Sequence, residues 1–363
     1  MRKRFYLITI NKFKVEIAIM KRFIPALLLY ILINACSENT RQSSAQNPDM
    51  AIGKIEIYDA AALQAIDSNA AIEIIAKGYT WSEGPVWVPA KQMLLFSDVI
   101  ENKIYQWKEG DTATLYLTPS GYTGSVKRIG GEDGSNGLTL DKNGNLLLCQ
   151  SGNRQVVKLN SGLDAPQPAF TVLAAGYNGK KFNSPNDLVT DSHNNIYFTD
   201  PVYGLPQRDN DSTRELNFEG VYKIMADGKL SLLIDTIKKP NGIALSNDEK
   251  TLYVASSDDE HPRWYAYDLD ENGDIKSGRI LLDATVMKAK ATVKQGSDGF
   301  KIDKYGNIFS AGPDGINIIS PRGKLIGLIK VYSRQTSNCA FNETKDILFV
   351  TADDVVMKIK LHD

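Results

Sequence analysis

The sequence predicts an all-β chain folded as a six-bladed β-propeller, and three observations predict it. First, one short phrase recurs six times: a polar residue, usually a glycine next, an apolar strand, a polar turn and a second apolar strand. The copies are Glu83-GPVWVPAKQMLLFSD, Asn136-GLTLDKNGNLLLCQ, Asn186-DLVTDSHNNIYFTD, Asn241-GIALSNDEKTLYVAS, Asp298-GFKIDKYGNIFSAG and Asn338-CAFNETKDILFVTAD. Second, their hydrophobic period is two, around turns built from Asp, Asn, Gly or Lys, which is the mark of a β-hairpin. Third, the pattern contains no long amphipathic helix. Spacings between lead residues run from 40 residues (Asp298 to Asn338) to 57 (Asn241 to Asp298), enough for four strands each. The runs KIYQWKE, QVVKLN, GVYKIM and WYAYDLD supply further strands between the phrases.

Taken in chain order, residues 1–36 read as a secretory signal. From Met20, two basic residues precede an apolar run from Ile24 to Ile33 and then Cys36. That run is too short for a spanning helix, which needs about 20 apolar residues. The stretch Ile33-Asn34-Ala35-Cys36 resembles the lipobox of bacterial lipoproteins, which implies a lipid anchor on Cys36 and an exported protein of the outer membrane facing the periplasm. Translation from Met1 or from Met20 fits this reading. Residues 37–51 are polar and aperiodic, a flexible tether. Residues 52–363 form one domain, and Gly53 to Gly78 are expected to provide the outer strand that closes the last blade.

Composition narrows the chemistry. With 42 basic and 43 acidic side chains in 363 residues, the net charge of −1 gives no field to gather nucleic acid. Three histidines (His193, His261, His362) and three cysteines (Cys36, Cys149, Cys339) are too scattered for a zinc cluster or a disulfide framework. The histidines fall in turns, in a polar loop and at the C-terminus, and Cys149 and Cys339 read as buried free thiols. There is no nucleophile elbow and no glycine-rich phosphate loop. Two calcium-loop mimics, starting at Asp141 and Asp268, lack the closing Glu and read as ordinary turns.

In a propeller, equivalent positions of successive blades ring the axis. Glu83, Asn136, Asn186, Asn241, Asp298 and Asn338 should therefore converge at one mouth of the channel, and all six carry a side-chain oxygen. An Asn or Asp before Gly also favours a turn at any single copy. Six copies with two formal negative charges match a hard divalent ion, so a metal is expected on the axis.

The runs SEGPVW (82–87), GGEDGSNGLTLD (130–141), FNSPNDLV (182–189), IYFTDPVYGL (196–205), KPNGIALS (239–246) and GSDGFKID (296–303) resemble the SMP-30/gluconolactonase/LRE-like family of six-bladed propeller lactonases. The resemblance implies that Glu83, Asn241 and Asp298 hold the metal. It implies that Asn186 contacts substrate or completes the metal shell, and that Asp298 doubles as the acid/base residue. The cation is calcium first, with magnesium, manganese or zinc also compatible. Ser184 stands where sugar-lactone members can carry Arg, and Ser151 where related sequences often carry His, which leaves Arg154 as the nearest residue to meet a polar substrate. Asn136, Asn186 and Asn338 can orient ring hydroxyls without adding charge.

The expected activity is metal-dependent hydrolysis of a lactone, with a sugar lactone such as gluconolactone as substrate and Asp298 accepting a proton from water. Hydrolysis of another ester, or ligand capture by a non-catalytic propeller, are the competing readings.

Overall fold

The computed structural model describes residues 51–126 and 128–362. The signal, Cys36 and nearly all of the tether lie outside the described residues. Six antiparallel sheets, five of four strands and one of five, follow one another along the chain, the six-bladed β-propeller that the repeats predict. Blade one comprises Ser82–Val88, Met93–Asp98, Lys103–Trp107 and Thr114–Leu117. Blade two runs through Ser135–Leu140, Leu146–Gln150, Gln155–Leu159 and Phe170–Ala174. Blade three holds Leu188–Thr190, Ile196–Asp200, Gly220–Ile224 and Leu230–Ile234, and blade four Pro240–Leu245, Thr251–Ser256, Arg263–Leu269 and Ile275–Asp283. Blade five is Phe300–Ile302, Ile308–Gly312, Gly315–Ile319 and Leu325–Val331, and blade six Thr336–Phe341, Ile347–Ala352 and Val355–Lys360.

Blade six takes its fourth strand from the front of the domain. Ile72–Lys77 pairs antiparallel with Val355–Lys360, while the earlier Gly53–Ile57 adds a fifth strand to blade five against Leu325–Val331. The segment expected to supply one closing strand thus supplies two. Between them, a single 3-10 turn at Ala60–Gln64 drives Ala62 and Ile66 into the core of blades five and six.

Period two reflects packing on both faces of every blade. In blade two, Leu146 and Leu148 meet Leu95 and Met93 of blade one, whereas Leu147 and Cys149 meet Leu188 and Phe198 of blade three. The same alternation continues around the ring. Ile243 and Val254 pack on blade three, Phe300 and Ile308 on blade four, Cys339 and Leu348 on blade five, and Phe349 stacks on Trp87 of blade one with centroids 5.4 Å apart. Each interface is a core in its own right, so a strand face left uncovered at any one would expose several fully buried aliphatic side chains.

The turns follow from a repeated Asp. In Asp141, Asp191 and Asp303 one carboxylate oxygen accepts from the N–H groups two and four residues on, folding each hairpin tightly. All three histidines are exposed, and Cys149 and Cys339 are buried and unpaired in separate blades.

Candidate functional site

The first strand of each blade touches the first strands of its two neighbours, so these strands surround the axis. In four blades the register slips at the lead residue, between Glu83 and Val86, Ser135 and Leu138, Pro240 and Ile243, and Thr336 and Asn338. A bulge there turns the lead side chain out of the ladder. Two of the segments are gripped from behind. Asp98 accepts from the N–H groups of Thr80 and Trp81 (3.0 and 3.2 Å), and Asp200 from those of Asn183 and Ser184 (2.8 and 2.7 Å). These donors stand three and two residues ahead of Glu83 and Asn186. Burial pushes both carboxyls up, Asp200 to about 7.

Hydrogen bonds then join every adjacent pair of blades at this level. Ser97 Oγ donates to the Asn136 carbonyl (3.0 Å), Gly137 N–H to Asn186 (2.7 Å), Thr199 Oγ1 to Asn241 (2.7 Å), Ser257 Oγ to Ser297, Gly299 N–H to Ser337 (2.8 Å) and Ser337 Oγ to Ser82 (2.7 Å). So close an approach requires glycine at particular points. At Gly84, with φ of 51°, a Cβ would lie 2.0 Å from the Asn136 carbonyl oxygen, and at Gly299 it would strike the Asn338 side chain.

Glu83, Asn136, Asn186, Asn241 and Asp298 line one cavity of about 610 Å³ at the axis. Each carboxylate spends an oxygen on the next residue's N–H: Glu83 Oε2 accepts from Gly84, and Asp298 Oδ1 from Gly299 at 2.9 Å. Asn241 donates its amide to Ser257 Oγ at 3.1 Å. The Oδ1 atoms of Asn136 and Asn186 are buried without a hydrogen-bond partner. Burial first, and then the charge of Asp298, holds the Glu83 carboxyl well above its ordinary range. Burial pushes Asp298 up to about 8, with Asp187 and Glu132 adding repulsion.

Buried like charges beside orphaned amide oxygens are costly unless something positive lies among them. Two carboxylates and neutral amide oxygens are the hard donor set of a divalent cation, so these residues fit one. Among the described residues no three His, Cys, Asp or Glu side chains cluster to hold a metal, so such a set depends on its amides.

Two expectations change here. Asn338 leads its phrase, but its amide is spent away from the cavity. Nδ2 donates to Asp187 Oδ2 (3.3 Å), and Oδ1 accepts from Cys339 N–H (2.9 Å) and Lys301 Nζ (3.2 Å). Lys301 Nζ also lies 3.7 Å from Asp187, so the ion pair of a half-buried lysine with a buried aspartate claims Asn338. Arg154 does not line the cavity either. In a left-handed backbone conformation (φ 61°), it donates to the carbonyls of Phe182 (2.6 Å) and Thr213 (2.9 Å) and ties those segments together. The cavity's arginine is Arg208, whose guanidinium lies over the Tyr203 ring, 5.6 Å from its centroid.

Glu132, Tyr203 and Arg208 line the cavity and were not singled out by sequence. Burial raises the Tyr203 hydroxyl well above its ordinary range, with the Asp298 charge adding to it. Burial also raises the Glu132 carboxyl, against the pull of Asn136 and of two arginines.

The SMP-30/gluconolactonase/LRE-like region model matches residues 81–354, which spans all six lead residues. The chain belongs to the SMP-30/gluconolactonase/LRE-like family. Within that family it is 38% identical over 315 residues to a gluconolactonase of Zymomonas mobilis, covering 85% of this chain and 86% of that one. It is 27% identical over 295 residues to lactonase drp35 of Staphylococcus aureus, covering 77% and 78%. A solved family structure, a gluconolactonase of Xanthomonas campestris, superposes with a TM-score of 0.72 at 28% identity, covering 85% of this chain and 95% of that one.

Proposed function

We propose that the protein hydrolyses lactones, with sugar lactones as its substrates, at the axial cavity and with one divalent cation held by Glu83, Asn186, Asn241 and Asp298. The observation that carries this reading is the pair of buried carboxyls beside the orphaned amide oxygen of Asn186. Its relatives named gluconolactonase and lactonase support the reaction class. When bound, the cation supplies polarisation of the lactone carbonyl and stabilisation of the oxyanion, with calcium the first choice. Asp298 keeps one oxygen on Gly299 N–H and so has its second oxygen to accept a proton from the attacking water. The Tyr203 hydroxyl stays protonated and can donate at the same cavity. Export and a lipid anchor on Cys36 complete the proposal.

The test follows proton release from glucono-δ-lactone, above its spontaneous hydrolysis, by protein treated with chelator and then given Ca²⁺, Mg²⁺, Mn²⁺ or Zn²⁺. Turnover that needs an ion is expected. A bound ion with no turnover on any lactone would sink the proposal in favour of ligand capture.

A pH dependence follows from the same carboxyls. The folded-state value of Asp298 lies above its ordinary value, so its contribution to stability is present below the ordinary carboxylate range and is lost as pH rises through about 8. A cation on the site favours the ionised forms and offsets that loss. The rise in melting temperature on adding Ca²⁺ should therefore be small at about pH 5 and largest near pH 9. Asp200 drifts in the same direction with or without the ion and cancels in the difference. A calcium increment independent of pH would place the ion elsewhere.

A further inference from the structure

Ser184 and Ser151, which stand where the resemblance offers an arginine and a histidine, both spend their hydroxyls on backbone groups. Ser184 is buried, its Oγ donating to the Pro201 carbonyl (2.6 Å) and accepting from Gly204 N–H (2.8 Å). Ser151 Oγ donates to the Pro185 carbonyl at 3.0 Å. A ring substrate in the cavity therefore needs its polar contacts from other elements.

The connection between blades one and two provides them. Glu132 lines the cavity four residues before Asn136, and Asn136 Nδ2 donates to Glu132 Oε2 at 3.3 Å. That bond fixes the Asn136 amide with its Oδ1 buried and unpartnered. The connection is itself strapped down. Arg128 donates to the carbonyls of Gly204 (2.6 Å) and Glu132 (3.1 Å) and pairs with Asp133 at 3.0 Å, over the face of Tyr122. Glu132 is thus a carboxylate on a rigid support, half-buried at a cavity wall. It has no ion pair of its own among the described residues.

A carboxylate is an acceptor only, with room for several donors, and its charge makes each such bond stronger than a neutral one. The donors that a sugar lactone offers it are the ring hydroxyls. We infer that Glu132, with Asn136 beside it, is the specificity residue that accepts hydrogen bonds from the ring hydroxyls of the substrate, so that the site selects polyhydroxylated lactones over alkyl lactones. The inference rests on the lactonase reading. An unsubstituted lactone adds no donor to the one that Asn136 gives Glu132 and leaves the rest of that carboxylate desolvated and unpaired, which is the larger source of discrimination at such a site. Arg128 acts through the loop and is a positioning residue.

The test compares wild type with Glu132→Gln on glucono-δ-lactone and on δ-valerolactone, which has no ring hydroxyls, with the same ion present. The variant keeps the shape and the amide contact. Its kcat/KM on gluconolactone should fall about 10- to 100-fold, mainly through KM. On valerolactone it should change by less than about 3-fold, with calcium still bound and the melting temperature no lower than that of wild type. Equal losses on both substrates, no loss on either, or a lost ion would overturn the inference while leaving the lactonase reading intact. Absence of wild-type turnover on both lactones would overturn the lactonase reading and this inference with it. A second readout needs no variant: 1,5-anhydro-D-glucitol, a polyhydroxylated ring without a lactone, should compete with valerolactone in wild type, and failure to inhibit would also overturn the proposal.

Discussion

Asp298→Asn is expected to abolish lactone turnover, lowering kcat by more than about 10³-fold, because it removes both a proton acceptor and one of two charges on the proposed cation site. The fold should tolerate the change. The asparagine oxygen can still accept from Gly299 N–H, and the repulsion that Glu83, Asp187 and Glu132 exert on this carboxyl disappears. In chelator the variant should therefore melt at or above the wild-type temperature, and in calcium its advantage should vanish as ion binding weakens. Proton-release kinetics and paired melts check both parts. Retained turnover would move the base to another group, and Glu83 would be the first to examine.

Removing residues 51–78 should cost most of the stability of the domain. The two strands in this segment cover the outer edges of blades five and six, and the turn between them buries Ala62 and Ile66. Burying one such aliphatic side chain contributes about 1.5–3 kcal/mol, against a total of about 5–15 for a typical domain. Exposing Val355, Met357 and Ile359 as well leaves little margin, and the bared strands become open edges. A melt lowered by more than about 10 °C and broadened, or aggregation on expression, is the expected result. An unchanged melt would mean that the ring holds without its amino-terminal strands.

Much of this was legible in the residues. Six phrases of period two define the blades, and five of their six lead residues do line one cavity. Asn338 departs because of single-blade exceptions. Asp187 stands where four copies have glycine, and its carboxylate, with Lys301, draws the Asn338 amide away. A repeat reports what its copies share and is silent on such exceptions. Arg154 was near the right loop in sequence, but a left-handed backbone turns its side chain toward Phe182 and Thr213. Glu132 lay in plain view within GGEDGSNG, yet its role depends on the strapping of a connection whose partners are backbone carbonyls, which carry no residue code. The bonds that join the blades at the axis are hidden for the same reason.

The closing strands also set an order of events in folding. Ile72–Lys77 is made early in translation, but its partner Val355–Lys360 follows about 280 residues later in the chain. Such a long sequence separation makes closure of the ring slow and entropically costly. Earlier blades can form as the chain emerges, whereas the last interface waits for Val355–Lys360. Until then blades one and six each present an uncovered face that invites pairing with other chains. A single blade lost at the carboxyl end would therefore strand the amino-terminal strand without a partner, so truncated chains of this protein are products for quality control rather than smaller working versions of it.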